Sequence, residues 1–295
     1  MLVGVAGCLT GVHARGAGEL ETRLMPLIQA HQGKVGVAVK NLKTGESFRY
    51  HADEPMTTAS LIKFPIMVEA YRQAAEKKVD LDAPVTLLKA DKVPGSGILT
   101  EHFSPGATFP LRDAVHLMIV FSDNTATNLV IERIGLAATA TTMERMGYPN
   151  TKAHSKVYRR DTTINLERSK RFGLGSTTAH DMVGLLESLH KGELVSPAAS
   201  AEMRKHLEAC DDKESLPRFL PPGTKVAFKS GAVDASRTAA GIIDTPGGPV
   251  AVCVLTEGNA DQRWVPDNAG TRLCADVARI VYDLPSTPAP TSAAH

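Results

Sequence analysis

The sequence predicts an α/β (α+β) fold: an antiparallel sheet built from both chain ends and flanked by helices, with an all-helical subdomain inserted between those ends. Three observations predict it. Strand-like alternation is confined to the two ends of the chain, the middle reads as successive amphipathic helices, and a further amphipathic helix stands near each terminus. Each strand-rich end has a face to bury, so the economical solution joins both in one sheet and leaves a cleft beside the inserted helices.

The elements follow in order. Residues 1–17 read as a truncated export or lipoprotein leader: Leu2 to Leu9 is apolar, lacks preceding basic residues and is too short to span a bilayer. Val5-Ala6-Gly7-Cys8 resembles a lipobox, which makes Cys8 a candidate lipid anchor and implies export to the periplasm or the exterior; a chance cysteine in a disordered start is the other reading. Glu19–His31 has helical periodicity, Lys34–Leu42 alternates as a strand, Lys43-Thr44-Gly45-Glu46 turns, and Ser47–His51 returns. Helices are expected at Leu111–Phe121, Thr125–Ile134, Thr178–His190 and Pro197–Ala209, the last started by Ser196 as cap with proline in the first position. A second hairpin pairs Ala239–Asp244 with Val250–Thr256, and a final helix spans about Asn268–Tyr282. One catalytic domain, 18–283, then comprises an α/β part (18–52 plus 223–283) and a helical part (53–222), and the Pro/Ser/Thr/Ala-rich tail 284–295 is expected to be disordered.

Composition narrows the function. With 43% apolar and 22% charged residues the chain supports a packed core, and its net charge of +1, with both signs mixed, offers no basic face to a nucleic acid. Cys210, Cys253 and Cys274 are isolated and read as buried, inert thiols, and the ten histidines form no metal-binding spacing. No metal or organic cofactor is called for.

Three short motifs carry chemistry. In "TTASLIKFPIMVEA" Ser60 precedes Lys63 by three residues, which puts both on one helix face; a lysine in a dry site near another cation loses its proton more readily and can act as a base toward serine. Ser60 as a helix cap with Lys63 in water is the alternative. Ser122-Asp123-Asn124 separates two helices and is equally readable as a cap, and Lys229-Ser230-Gly231 ends the alternating run "KVAFKSGAV".

Together, in this order and at these separations, the three motifs resemble the class A (serine) β-lactamase family, a group of penicillin-binding-protein-like serine hydrolases. The resemblance covers about Glu19 to Tyr282, with Lys-Ser-Gly in place of the commoner Lys-Thr-Gly. It implies Ser60 as acylated nucleophile, Lys63 as its base, Ser122 as proton relay and Asn124 as a partner of the substrate's amide side chain. Lys229 and Ser230 would bind the substrate carboxylate, with Gly231 beside them as a further substrate-binding residue and the charge of Lys229 also helping to keep Lys63 neutral. The backbone amides of Ser60 and Ala232 would form the oxyanion hole, and Arg237 would be a second carboxylate anchor unless it is simply a solvated strand arginine.

Removing the acyl group requires a base that activates water. The family uses a glutamate, with an asparagine four residues later, in a loop; the matching stretch "RRDTTIN" supplies Asp161 and Asn165 after Arg159. Aspartate is shorter by about 1.5 Å, and a misplacement of about 1 Å can lower a rate about 10²-fold. Glu167 ranks second as base. Leu174 and Gly175 stand where the family pairs the loop arginine with an acid. The resemblance thus implies a monomeric enzyme acting on a small β-lactam or a peptidoglycan-like acyl substrate, with slow deacylation. A penicillin-binding-like peptidase or esterase, and a β-lactam sensor that stays acylated, are the alternatives.

Overall fold

The computed structural model describes residues 13–284, with side chains from Gly18 onward; Cys8, most of the leader and the tail beyond Leu284 lie outside the described residues. Helix α1 (His13–Ala30) leads into β1 (Lys34–Asn41) and β2 (Ser47–Tyr50). The turn between the strands is fixed by Asn41, whose Oδ1 accepts from the amides of Lys43 and Thr44 at 2.9 and 3.0 Å. Next come β3 (Met56–Thr57), a 3₁₀ turn at Ala59–Ile62 and α2 (Lys63–Ala75). The pair β4 (Pro84–Thr86) and β5 (Thr108–Pro110) encloses α3 (Leu99–His102), followed by α4 (Leu111–Val120), α5 (Asn124–Ile134) and α6 (Leu136–Arg145). Then β6 (Lys152–Ala153), a 3₁₀ turn at Arg160–Thr162, α7 (Leu166–Phe172) and β7 (Gly175–Thr177) form a loop region anchored by the small sheet β3-β7-β6. The chain closes with α8 (Ala179–Lys191), α9 (Pro197–Glu208), β8 (Val226–Val233), β9 (Ser236–Thr245), β10 (Gly248–Glu257) and α10 (Ala269–Tyr282).

The main sheet has the order β2-β1-β10-β9-β8, all antiparallel, so its centre joins the first strand of the chain to the last. Val37 stands opposite Val254, and the side chains of both strands alternate between two buried faces. On one face Val35, Val37, Val39, Val250, Val252 and Val254 pack beneath Leu20, Leu24 and Ile28 of α1 and Leu273, Val277 and Val281 of α10. On the other, Ala38, Ala251, Cys253, Ala240 and Ile242 meet the helical middle, including Met182, Leu185 and Leu186 of α8. The small residues on that second face let α8 lie close to the strands. Each fully buried Val or Leu contributes about 1.5–3 kcal/mol relative to exposure, which is why both faces read as apolar at both chain ends.

The helix starts are set by side chains. Ser196 Oγ accepts from the Ala199 amide at 3.2 Å with Pro197 in the first helical position, and Asn268 Oδ1 accepts from Gly270 and Thr271 at 2.9 and 3.3 Å. Cys210, Cys253 and Cys274 are buried, and burial pushes the Cys274 thiol up to about 12, which leaves it unreactive. The feature that matters most for function is the position of β8: it is the last strand of the sheet, and it runs directly against the 3₁₀ turn that carries Ser60.

Candidate active site

Ser60 does not cap a helix. It lies inside the 3₁₀ turn, α2 begins only at Lys63, and neither element has a side-chain cap. Ala59, immediately before it, holds φ at +44°, a left-handed conformation that disfavours a residue with a Cβ and stores on the order of 1–3 kcal/mol of strain. That kink presents the Ser60 hydroxyl to a cleft, and the hydroxyl makes no hydrogen bond to the described residues. Pro65 falls in the first turn of α2, where a missing backbone donor is tolerated.

Lys63 is fully buried on the same face. Its Nζ lies 2.5 Å from the Ser122 carbonyl oxygen, 3.0 Å from Ser122 Oγ and 2.9 Å from Asn124 Oδ1. Desolvation by burial holds its pKa well below the ordinary lysine value, and the nearby charge of Lys229 lowers it further, against a smaller opposing effect from Asp123. A neutral amine has two N–H donors and one lone pair. Two donations, to the Ser122 carbonyl and to Asn124 Oδ1, leave the lone pair free to accept a proton.

Ser122 and Asn124 reach this point because Asp123 organises the link between α4 and α5. Its Oδ1 accepts from the Ala126 amide at 2.8 Å as the cap of α5, while Oδ2 accepts from the amides of Ile98 and Leu99 at 2.7 and 2.8 Å. The neighbouring loop packs so tightly here that a Cβ on Gly97 would come within 2.3 Å of the Asp123 carboxyl group, and Gly97 holds φ at +119°. Asn124 Nδ2 donates to the Pro94 carbonyl at 3.0 Å, so its amide fixes both the loop and the lysine. Ser122 itself sits at φ +52°, a second strained residue beside the lysine.

The third motif arrives on β8. Lys229 is buried, its Nζ donating to the Ser230 carbonyl at 2.8 Å, and desolvation lowers its pKa. Gly231 explains the close approach: a Cβ there would meet the Thr58 carbonyl oxygen at 2.5 Å and the Ser60 amide nitrogen at 2.7 Å, both backbone atoms. Thr238 on β9 reinforces the junction by donating to the Thr58 carbonyl at 2.9 Å. Gly231→Ala is therefore expected to push β8 away from Ser60, lowering the rate of a reaction at Ser60 about 10²-fold and stability by about 1–3 kcal/mol. Steady-state kinetics and denaturant melts check both numbers.

A cleft of about 990 Å³ opens at Ser60, with Ala59, Asn124, Ala232, Val233 and Ser236 on one side and the loop region between β6 and β7 on the other. Gly95 and Ser96 form its rim, while Tyr158, Leu166 and Trp264 place exposed apolar surface at its mouth.

Four residues, Asp161, Asn165, Glu167 and Arg237, stand elsewhere than the sequence suggests. Asp161 is exposed, lies 3.6 Å from the Arg159 guanidinium, and does not line the cleft. In a 3₁₀ turn residues three apart eclipse one another; here Arg160 and Thr163 take the cleft-facing positions, which turns the intervening Asp161 away. Asn165 likewise serves as the cap of α7, its Oδ1 accepting from the Arg168 amide at 3.1 Å. On α7, Leu166, Ser169 and Lys170 share the inward face, so Glu167 points to solvent and pairs with Lys170 at 3.1 Å. Arg237 is neither a cleft anchor nor a solvated arginine. It is 4% exposed, and its guanidinium donates to the carbonyls of Val233, Asp234, Ser236 and Arg263 while lying 4.8 Å from the Trp264 ring centre.

The residues brought together are thus Ser60, Lys63, Ser122, Asn124, Lys229, Ser230, Gly231 and Ala232. No short motif announces Asp123 as the tie between two loops, Thr238 as the link between strand and nucleophile turn, or the cleft-lining Tyr158, Arg160, Arg171, Glu257 and Trp264. Their roles depend on contacts between distant parts of the chain; only the capping chemistry of Asp123 is readable locally.

A sheet flanked by helices, with a cleft-facing serine one helical turn before a buried lysine, defines a serine hydrolase of the penicillin-binding type. Residues 19–284 match the family model described as the beta-lactamase enzyme family, and the chain belongs to that family. Among curated relatives, the β-lactamase of Streptomyces cellulosae is 29% identical over 244 residues, 79% of this chain and 75% of that one. The match to a Proteus vulgaris β-lactamase, also 29% identical, spans only 43% of this chain and 41% of that protein. The crystal structure of a β-lactamase from Sphaerobacter thermophilus superposes with a TM-score of 0.77 at 28% identity, covering 90% of this chain and 95% of that one. PBP-A superposes equally well, with a TM-score of 0.77 at 25% identity over 90% and 94% of the two chains, and a mutant of PBP-A has been solved as an acyl-enzyme complex with penicillin G.

Proposed function

We propose that this protein opens the amide of β-lactams by acylation of Ser60, in the manner of class A enzymes, and that the resulting ester is hydrolysed slowly. The observation that carries the proposal is the buried, depressed-pKa Lys63, one helical turn from a cleft-facing serine. Neutral Lys63 takes the Ser60 proton as Oγ attacks the lactam carbonyl carbon, and the amides of Ser60 and Ala232 stabilise the oxyanion. The lactam C–N bond then breaks, and the proton passes from Lys63 through Ser122 Oγ, 3.0 Å away, to the leaving nitrogen. Addition of water to the ester and loss of Ser60 complete the cycle, giving the ring-opened acid.

Water activation is the weak step. Asp161 and Glu167 both face away from the cleft, and the single carboxylate among its lining residues is Glu257, whose Oε2 accepts from the Thr57 amide at 3.2 Å on the sheet side. This favours a second reading, an acylating enzyme of the penicillin-binding type that retains its ester. A chromogenic cephalosporin in stopped flow distinguishes them: a burst equal to the enzyme concentration followed by slow steady turnover supports the proposal, and a burst alone supports the second reading. Absence of any burst contradicts both.

The lysine pair sets the pH dependence. The base form of Lys63 dominates above its depressed pKa, so acylation is expected to fall as pH drops through that value. Lys229→Met removes a like charge and is expected to move this acidic limb to higher pH, besides weakening binding of the substrate carboxylate. Acylation rates measured across pH for both proteins check the direction.

A further inference from the structure

The inward face of the loop region is cationic. Lys156, Arg160, Lys170 and Arg171 all line the cleft on the wall opposite β8. Lys156 is paired with Glu132 and Lys170 with Glu167, which largely neutralises them. Arg160 and Arg171 have no carboxylate within salt-bridge distance among the described residues. Both are exposed, and Arg171 lies 4.8 Å from the centre of the Phe172 ring, where the guanidinium stacks without losing its charge. Tyr158 and Leu166 stand on the same wall and are mostly exposed, at 64% and 57%. An acyl side chain entering here therefore meets apolar surface together with two unneutralised guanidinium groups.

Building on the acylation reading above, we propose that this wall selects acyl groups bearing a second anionic substituent, an aryl or alkyl side chain with its own carboxylate, and that Arg160 and Arg171 determine that specificity. The carboxylate common to β-lactams would be bound at the Lys229 side of the cleft, so the second anion is recognised separately. The other charge lining the cleft, Glu257, is held by the Thr57 amide on the sheet side. Arginine suits the task because its planar donors can bind a carboxylate through two hydrogen bonds.

The test compares benzylpenicillin with carbenicillin, which differ by one side-chain carboxylate. At low salt the acylation rate constant kcat/KM, or k2/K if the ester persists, is expected to be about tenfold higher for carbenicillin, with the preference shrinking as salt is added. Arg160→Gln/Arg171→Gln is expected to bring the ratio of the two rate constants to about one, and the double lysine variant to retain part of the preference. Equal rates for the two penicillins, or a preference that survives the double glutamine variant, would overturn the proposal. If neither penicillin acylates Ser60, the acylation reading fails, and the specificity claim is decided by binding instead. The ring-opened penicilloates of both compounds are then titrated against Ser60→Ala, using fluorescence of Trp264, the only tryptophan and a cleft residue. Tighter binding of the dianionic side chain supports the cationic wall, and equal affinity sinks it.

Discussion

Ser60→Ala is expected to eliminate covalent attachment of any β-lactam and to lower turnover by about 10⁴–10⁶-fold, the scale seen when a serine nucleophile is removed from a hydrolase. The fold should not notice. The Ser60 hydroxyl makes no hydrogen bond to the described residues, and the strain that presents it sits in the backbone of Ala59. A melting temperature close to that of the unaltered protein, with no mass adduct after incubation with penicillin, is the expected pair of results. A variant that loses its adduct and also its fold would mean that the serine is structural.

Lys63→Met is expected to slow acylation about 10²–10⁴-fold, the range typical of a positioned general base. It would also leave Asn124 Oδ1 and the Ser122 carbonyl without the donor that now reaches them at 2.9 and 2.5 Å, so a loss of stability of about 1–3 kcal/mol is expected alongside. Lys63→Arg separates charge from basicity. Arginine keeps a cation and donors in the site but stays protonated, so it cannot take the Ser60 proton. Acylation in the arginine variant should be as slow as in the methionine variant at every pH. A fast arginine variant would show that Lys63 acts through its charge, not as a base.

The parts of this site legible in the sequence are those fixed by local geometry. Ser60 and Lys63 share a face because they are three residues apart in helical backbone, and the capping residues of Ser122-Asp123-Asn124 stand where two helices must be separated. The sheet is legible for a similar reason: Val35, Val37 and Val39 alternate at one end of the chain and Val250, Val252 and Val254 at the other, and each set needs the other to be buried. What cannot be read locally is rotational phase within the loop region. Whether Asp161 or Arg160 faces the cleft depends on how the loop is tethered, and the tether is remote. Asn128 on α5 grips Val157 through both backbone groups, at 2.8 and 3.0 Å, and the Ile164 amide donates to the His154 carbonyl at 3.0 Å. Arg237 escapes a local reading for a related reason. Its register on β9 is plain, but the carbonyls that occupy its guanidinium come from the turn at 233–236 and from Arg263, a contact no spacing rule contains.

The proposed reaction runs through an acyl-enzyme on Ser60 whose hydrolysis does not depend on Asp161. Intact-mass spectrometry of the protein after mixing with excess benzylpenicillin, followed over time and repeated with Asp161→Ala, tests it most directly. One added penicillin mass per chain is expected, mapped by peptide digestion to Ser60, with decay rates within about twofold in the two proteins, since Asp161 is a solvent-facing partner of Arg159. An adduct on another residue, or one that persists far longer in Asp161→Ala, would contradict it.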